Sequence, residues 1–218
     1  MWYAVFCCSW GEGISAMKRK LGVFLVILGS ALIFGALGLF LYNYREQEQA
    51  AEVSAAVMPQ IVEVIHQRQE EQKEEFEPVH QYVEERRMEP VTVNGWEYVG
   101  FVGIPALEKE LPIFSQWSYY KLKSAPCRYW GDMYTNDLVV MAHNYPTHFG
   151  GLADLRAGDT VTVTDMNAVT FTYEVVAVEA LDPYATEDMI AGDYDLTLFT
   201  CTYGGQSRVT VRCDKIEE

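Results

Sequence analysis

The chain has few basic residues. Its 218 residues contain 16 Lys and Arg against 31 Asp and Glu, which gives a formal net charge of -15. This balance argues against nucleic-acid binding, because neutralising phosphates requires a basic surface. An acidic chain is typical of a solvated protein outside the cell, although charge alone does not define a function.

Cysteine is also scarce. The five cysteines, Cys7, Cys8, Cys127, Cys201 and Cys213, form no Cys-x-x-Cys pair and no regular disulfide framework. The odd number indicates at least one free thiol. A Cys127–Cys213 disulfide is an open alternative for an extracellular chain.

Long apolar runs are limited to one, residues 21–44, which contain no charged residue. The run is long enough to cross about 30 Å of hydrocarbon. Lys18, Arg19 and Lys20 precede it, so we expect residues 1–20 in the cytoplasm and the bulk of the chain outside. The alternatives are a cleaved signal peptide, for which Tyr42 onward is a poor cleavage site, and a buried core helix.

Met17 resembles the natural start of such an anchor. Residues 1–16 show no periodicity. Our hypothesis is that Met17 is the initiator and that residues 1–16 are a start-site artefact.

Residues 45–90 are rich in Glu and Gln, with a partial apolar stripe around Ile61 and Ile65. Pro59 and Pro78 are expected to break or kink a helix. The composition predicts a solvated, helical or partly disordered stalk. His66 and His80 in this segment are interpreted as surface residues.

Residues 91–218 form the predicted folded domain. Short runs with alternating apolar residues, separated by turn residues, favour an all-β barrel or sandwich. The predicted strands cover residues 98–104, 111–114, 138–143, 160–164, 169–178, 196–202 and 208–213. Short helices are predicted near residues 148–155 and 186–190.

Three residues at predicted strand ends could carry chemistry. Cys201 ends one apolar run, and Arg208 begins the next after a tight turn. His143 ends a third apolar run, so it could favour the Cys201 thiolate or protonate a leaving group. Arg208 could donate hydrogen bonds to a developing oxyanion. The alternative is a structural Cys–His pair without catalysis.

Arg212 is the competing arginine. It shares the face of Arg208 on the same predicted strand, but it lies four residues further along, roughly 13 Å away at strand rise. The predicted hairpin places Arg208 opposite Cys201. We therefore assign the chemistry to Arg208.

These motifs resemble the sortase family, membrane-anchored cysteine transpeptidases of Gram-positive bacteria. The family's Thr-Leu-x-Thr-Cys motif matches Thr197-Leu198-Phe199-Thr200-Cys201, and its arginine and histidine match Arg208 and His143. Further similarity covers residues 100–105, 111–114, 149–152 and 155–159. The resemblance extends over roughly residues 96–216.

The resemblance implies a closed eight-stranded β-barrel and no cofactor. It also implies cleavage of an LPXTG-like sorting signal through a thioester on Cys201. The acceptor would be an amine from a cell-wall precursor or a pilin lysine. The partners would be sorting-signal-bearing surface proteins or pilins. Thr200, Asn144 and Tyr203 are the candidate substrate contacts, and Thr200 could instead support the site or simply favour a strand.

The short Cys201–Arg208 gap, and the lack of an evident C-terminal span or lid motif, favour a class B- or D-like enzyme. Two alternatives remain open: a catalytically silent, membrane-tethered binding barrel, and a cell-wall cysteine hydrolase.

Metal binding is not expected. A site from His143, His148 and Cys201 lacks an evident fourth ligand. The acids of residues 182–195 could bind calcium, but we interpret them as solvated. Cys213 is predicted to lie in the core. Among Trp117, Tyr119, Tyr120 and Trp130, most are expected to pack, with one or two at the edge of a groove.

Overall fold

The computed structural model describes residues 6–74, 86–191 and 193–216. The chain divides into two compact units, which meet between Glu46 and Gln47. Helix α1 (Phe6–Glu74) belongs to both units, and it continues through Pro59. Its stretch from Lys20 contains an 18-residue window of mean hydropathy 2.6, none of it buried. By length and composition this helix could cross a membrane.

In the second unit, α1 packs against the folded domain. Ala50, Val57, Ile61 and Ile65 are buried at helical spacing. The last three join a core cluster that includes Tyr98. This packing differs from the solvated stalk that the charge run predicts. Most charged residues of this part of the helix lie on its exposed face. Apolar residues three and four positions apart form a buried stripe on the opposite face.

Polar contacts fix the same helix at two points. The Ser54 hydroxyl donates a hydrogen bond of 2.9 Å to the Ser124 carbonyl. Further along, Arg68 Nη1 donates one of 2.9 Å to the Asn167 side chain. Both acceptors lie in loops of the strand domain, so the helix from Gln47 onward is a packed element of that unit. Of the two histidines placed on the surface, His66 is exposed. His80 and Pro78 lie outside the described residues.

Within the described residues, nine strands and two short α-helices follow α1. The strands are β1 (Val91–Val93), β2 (Trp96–Ile104), β3 (Lys109–Phe114), β4 (Cys127–Trp130), β5 (Leu138–Met141), β6 (Thr160–Asp165), β7 (Thr170–Leu181), β8 (Leu196–Cys201) and β9 (Arg208–Lys215). The short helices are α2 (Tyr119–Leu122) and α3 (Thr186–Met189).

The strands close into a barrel. Their order is β1-β2-β3-β4-β5-β8-β9-β7-β6, and β2 pairs again with β6. Eight strands therefore form the closed barrel, as predicted. The short strand β1 pairs with the beginning of β2, outside the barrel closure. Closure brings Gly100 so near β6 that a Cβ there would lie 1.9 Å from the Thr164 carbonyl oxygen. Only glycine fits this position.

All seven predicted strands are confirmed to within a few residues, but β1 and β4 were not predicted. Each is only three or four residues long, too short for alternation to be read. The predicted helix near residues 186–190 is confirmed as α3. The other predicted helix is wrong except for a 3₁₀ turn at Leu152–Asp154.

Candidate active site

Parallel pairing of β5 with β8 brings His143 and Cys201 to the same rim of the barrel. The register runs from Leu138 opposite Leu196 to Met141 opposite Phe199. One further bond, from the Ala142 amide to the Phe199 carbonyl at 3.2 Å, continues the pairing past the end of β5. At the same offset, His143 lies level with Cys201.

Antiparallel pairing of β8 with β9 places Arg208 directly opposite Cys201. The adjacent Thr202 amide bonds the Ser207 carbonyl at 2.9 Å. The Cys201–Arg208 pair is thus of the non-hydrogen-bonded type, in which opposite side chains approach most closely. The turn between them contains Gly204 and Gly205, both at positive φ. The predicted hairpin is confirmed.

The three residues share the outer face of the sheet. On β8, Leu196 and Leu198 point into the barrel core. Side chains alternate along a strand, so Phe199 and Cys201 point outward. His143, Cys201 and Arg208 are each partly exposed. They form a rim that a substrate can reach.

Arg208 is held loosely over its own turn. Its Nη1 donates to the carbonyls of Gly205 and Ser207, each at 3.2 Å. Among the described residues, Nε and Nη2 of Arg208 have no hydrogen bond. Part of the guanidinium fork can therefore serve an oxyanion or a substrate carbonyl.

The loop after β5 holds His143 in place. The His143 and Tyr145 rings stack with centroids 4.8 Å apart, and Tyr145 in turn lies 5.5 Å from His148. The Phe149 amide donates to the His143 carbonyl at 3.2 Å. At Gly150 a Cβ would lie 2.6 Å from the Tyr145 carbonyl oxygen, so the loop requires glycine there.

His148 supports this loop as a neutral, buried ring. It is fully buried, and among the described residues neither ring nitrogen makes a hydrogen bond of ordinary geometry, although backbone groups of Ala50 and Ser124 lie near the ring. Burial first, and then the nearby charges of His143 and Lys109, lower the pKa of His148 to about 4. No group of three or more His, Cys, Asp and Glu side chains able to hold a metal occurs among the described residues.

Thr200 faces the barrel interior. Its hydroxyl donates a hydrogen bond of 2.8 Å to the Ala142 carbonyl, and its side chain is buried. This bond favours the alternative role considered for Thr200, support of the site, and the role as a substrate contact stays a prediction. This bond links the residue before Cys201 to the residue before His143. At the same rim, Asn144 is partly exposed and Tyr203 is 86% exposed.

The outer face below Cys201 is apolar. Val139, Phe199 and Met189 form a small buried cluster beneath the connection between β7 and β8. Tyr129 packs edge-on against Phe199 with centroids 5.3 Å apart, and Trp117 lies 6.0 Å from Tyr129. Of the four aromatic residues considered earlier, Trp117 contacts this face through Tyr129, and Tyr119 packs on Trp117 with ring centroids 5.6 Å apart. Tyr129, Met189 and Phe199 were not identified from the sequence as residues of this face. Of the three, Phe199 could have been found, because it has the same parity on β8 as Cys201.

Arg212 lies on the same face but far from the rim. It is 4% exposed, and it pairs in register with Thr197 rather than with Cys201. Its Nε makes an ion pair with Glu179 at 2.8 Å. Arg208, and not Arg212, is therefore the arginine beside the thiol.

Cys127 and Cys213 are buried free thiols. Cys127 and Cys213 belong to different core clusters, so the Cys127–Cys213 disulfide considered above is wrong. Burial raises the pKa of each thiol to about 12. Cys213 lies in the core, as predicted. Of the three cysteines in the strand domain, Cys201 is the one that is partly exposed.

Two acids between β7 and β8 accept hydrogen bonds from backbone amides. Asp182 accepts from the Tyr184 amide at 2.9 Å, and Asp195 from the Lys215 amide at 2.7 Å. These carboxylates shape the connection rather than remaining purely solvated.

Comparison with known proteins gives the family. The model of the sortase domain matches residues 102–216. Among solved structures, sortase C1 from Streptococcus agalactiae is 23% identical, with a TM-score of 0.51 over 79% of this chain and 96% of that chain. Sortase C from Streptococcus pneumoniae is 19% identical, with a TM-score of 0.51 over 77% and 98%.

Sortase C1 from Streptococcus suis is 26% identical, with a TM-score of 0.49 over 56% of this chain and 74% of that chain. No curated protein matches the chain. At these identities the solved structures support the fold alone, and the class B- or D-like assignment stays a prediction. Since the domain model covers more than half of the 218 residues, the chain belongs to the sortase family.

Proposed function

We propose that this protein is a cysteine transpeptidase. It cleaves an LPXTG-like sorting signal and transfers the new carboxyl end to an amine acceptor. The observation that carries the proposal is the register of β5, β8 and β9, which brings His143, Cys201 and Arg208 to one partly exposed rim.

The first step forms a thioester. The Cys201 thiolate attacks the carbonyl carbon of the threonine in the sorting signal, and the C–N bond to the next residue breaks. His143, as imidazolium, gives its proton to the departing amine. The products are an acyl-enzyme on Sγ and a neutral imidazole.

The second step reverses these roles. The acceptor amine attacks the thioester carbon and passes its proton to His143. The Cys201 thiolate leaves, and the new amide bond is complete. In both steps Arg208 stabilises the negative oxygen of the tetrahedral intermediate. Its Nε and Nη2 are the donors left over from the contacts of Nη1 with the turn.

The outer face of β5 and β8 is the candidate substrate groove. Its apolar residues Val139 and Phe199 lie on the strands that lead to the rim, and Met189 of α3 packs against them as part of the groove wall. An extended peptide laid along this face would bury apolar side chains there and present its carbonyl to Cys201. Asn144 and Tyr203 are the proposed polar contacts at the rim.

The N-terminal helix is proposed to anchor the enzyme in the cell membrane. The apolar stretch after Lys20 is long enough for one span, and its side chains are exposed. We propose that the N-terminus is cytoplasmic and that the catalytic domain faces the cell wall. There it meets sorting-signal-bearing surface proteins or pilins and an amine such as a cell-wall precursor.

The test uses the full chain in detergent micelles with a library of sorting-signal peptides and amine acceptors. We expect mass spectrometry to detect the acyl adduct on Cys201 and the transferred product. Matched variants are Cys201→Ala, which should abolish both signals, and Cys127→Ala, which should keep both. Equal behaviour of wild type and Cys201→Ala across the library would refute catalysis. A hydrolysed product without transfer, at saturating amine, would instead identify a cysteine hydrolase.

A further inference from the structure

The connection between β7 and β8, residues 182–195, covers the far end of the candidate groove. It contains α3, whose last residue, Met189, is 5% exposed. Met189 packs in the cluster formed with Val139 and Phe199. Since Phe199 precedes Cys201 by two residues on the same face, the position of this connection determines the shape of the groove next to the thiol.

Arg212 ties this connection to the barrel. From β9, its Nη2 donates to the Asp188 carbonyl at 2.8 Å. Its Nη1 donates to the Met189 carbonyl at 3.4 Å and to the Thr197 hydroxyl at 3.0 Å. One guanidinium thus joins α3 to strands β8 and β9.

Arg212 makes two further contacts, and we call the whole set of contacts around its guanidinium the Arg212 hub. Arg212 Nε pairs with the Glu179 carboxylate on β7, which neutralises the buried charge. The guanidinium carbon also lies 5.1 Å from the centre of the Tyr194 ring, at the other end of the connection. A planar fork with five donors can serve several acceptors in this way, whereas a lysine ammonium cannot hold the same geometry.

We propose that Arg212 is a positioning residue for substrate binding: it holds residues 182–195 against the barrel and so fixes the wall of the groove. The inference rests on the proposed function, because the groove is defined by the proposed substrate. Arg212 touches no reacting atom. Its loss should therefore weaken peptide binding and leave the chemistry of the bound peptide largely intact.

The experiment compares wild type with Arg212→Met in the full chain in detergent micelles. Hydrogen exchange of amides in residues 182–195 should accelerate by about tenfold, while β5 exchange stays unchanged. With the sorting-signal peptide, KM should rise by about tenfold and kcat should stay within about threefold. Arg212→Lys should restore part of both effects.

Glu179→Gln is the matched control, because its amide oxygen can still accept from Nε and because the Glu179 side chain is 41% exposed, so that solvent screens the loss of its charge. It should leave exchange in residues 182–195 within about threefold of wild type. Unchanged exchange in Arg212→Met would overturn the proposal, and so would a fall in kcat at constant KM. If Arg212→Met does not fold, Thr197→Val removes one acceptor and must still accelerate exchange in the connection. If the wild type transfers no peptide, the proposed function fails, while the exchange measurements still decide the role of Arg212.

Discussion

The two ends of the outer face of β8 and β9 differ in how firmly their side chains are held. At the rim, Cys201 and Arg208 are partly exposed, and Arg208 bonds only to its own turn among the described residues. Four residues away, Arg212 is buried and bonds to three elements. At the end that we propose to be reactive, guanidinium donors remain available for a substrate, whereas at the other end every guanidinium nitrogen is used to hold the surrounding chain.

The two arginines are equivalent in sequence pattern, since both lie on one strand with the same parity. What separates them is the neighbouring chain. A tight turn leaves Arg208 at the surface, and the connection with α3 closes over Arg212. We call the end with Cys201 and Arg208 the free end, and the end with Arg212 the fixed end. We expect substitutions at the free end to lower kcat, and substitutions at the fixed end to lower the stability of the fold.

The largest effect is expected from His143→Ala at the free end. Loss of the proton donor should reduce kcat by roughly 10²–10⁴-fold. The free energy of unfolding should change by no more than about 0.5 kcal/mol, because the ring is partly exposed. Peptide transfer and thermal unfolding of one preparation measure both. His66→Ala, at an exposed position on α1, should change neither. Retained activity together with a large loss of stability would make His143 part of a structural pair.

Helix α1 should also contribute to the stability of the fold, as the fixed end does. Ile61 is completely buried against the barrel, so Ile61→Ala should lower the free energy of unfolding by about 3 kcal/mol. Val62→Ala, one residue along on the exposed side, should cost less than about 1 kcal/mol. Chemical denaturation of the full chain compares the two. Equal losses would show that the helix does not pack as described.

The loop that brings His143 to the free end should be sensitive to acid. The unfolded chain binds a proton at His148 with a pKa near 6.5, whereas the folded chain holds that pKa at about 4. Between these values the unfolded state binds more protons, so stability falls as the pH falls through this window. From pH 8 to pH 5 the loss from this group should be about 2 kcal/mol.

His148→Phe removes this titration and keeps a ring of similar size. Denaturation curves at pH 8 and pH 5 should therefore differ less for His148→Phe than for wild type. The same pH dependence in both proteins would assign the acid sensitivity to other groups.

The smallest effect is expected where the two strands of the free end are joined. Thr200→Val removes the hydroxyl that bonds the Ala142 carbonyl and keeps the side-chain shape. It should lower the free energy of unfolding by about 1 kcal/mol, which corresponds to a fall in Tm of roughly 2–4 °C. Thermal unfolding measures this. No change in Tm would leave Thr200 as a residue chosen for strand propensity alone.

The sequence predicts the free end well and the fixed end poorly. Strand ends, parity and a two-glycine turn are local features, and they predict that Arg208 lies opposite Cys201. His143 comes to the same rim through the long-range pairing of β5 with β8. Spacing alone left that pair open, and the resemblance to the sortase family supported it. The Arg212 hub depends on carbonyls of Asp188 and Met189, whose positions follow from tertiary packing. The buried stripe on α1 was visible at Ile61 and Ile65, but the charges around it favoured a solvated stalk.

The central claim is that chemistry resides at one end of this face and structure at the other. The most direct test is to measure kcat at saturating peptide for Arg208→Gln and Arg212→Gln in the full chain. We predict that Arg208→Gln lowers kcat by about 10²–10³-fold with Tm unchanged, and that Arg212→Gln lowers Tm with kcat within about threefold of wild type. A larger loss of kcat in Arg212→Gln, with Arg208→Gln near wild type, would contradict the account.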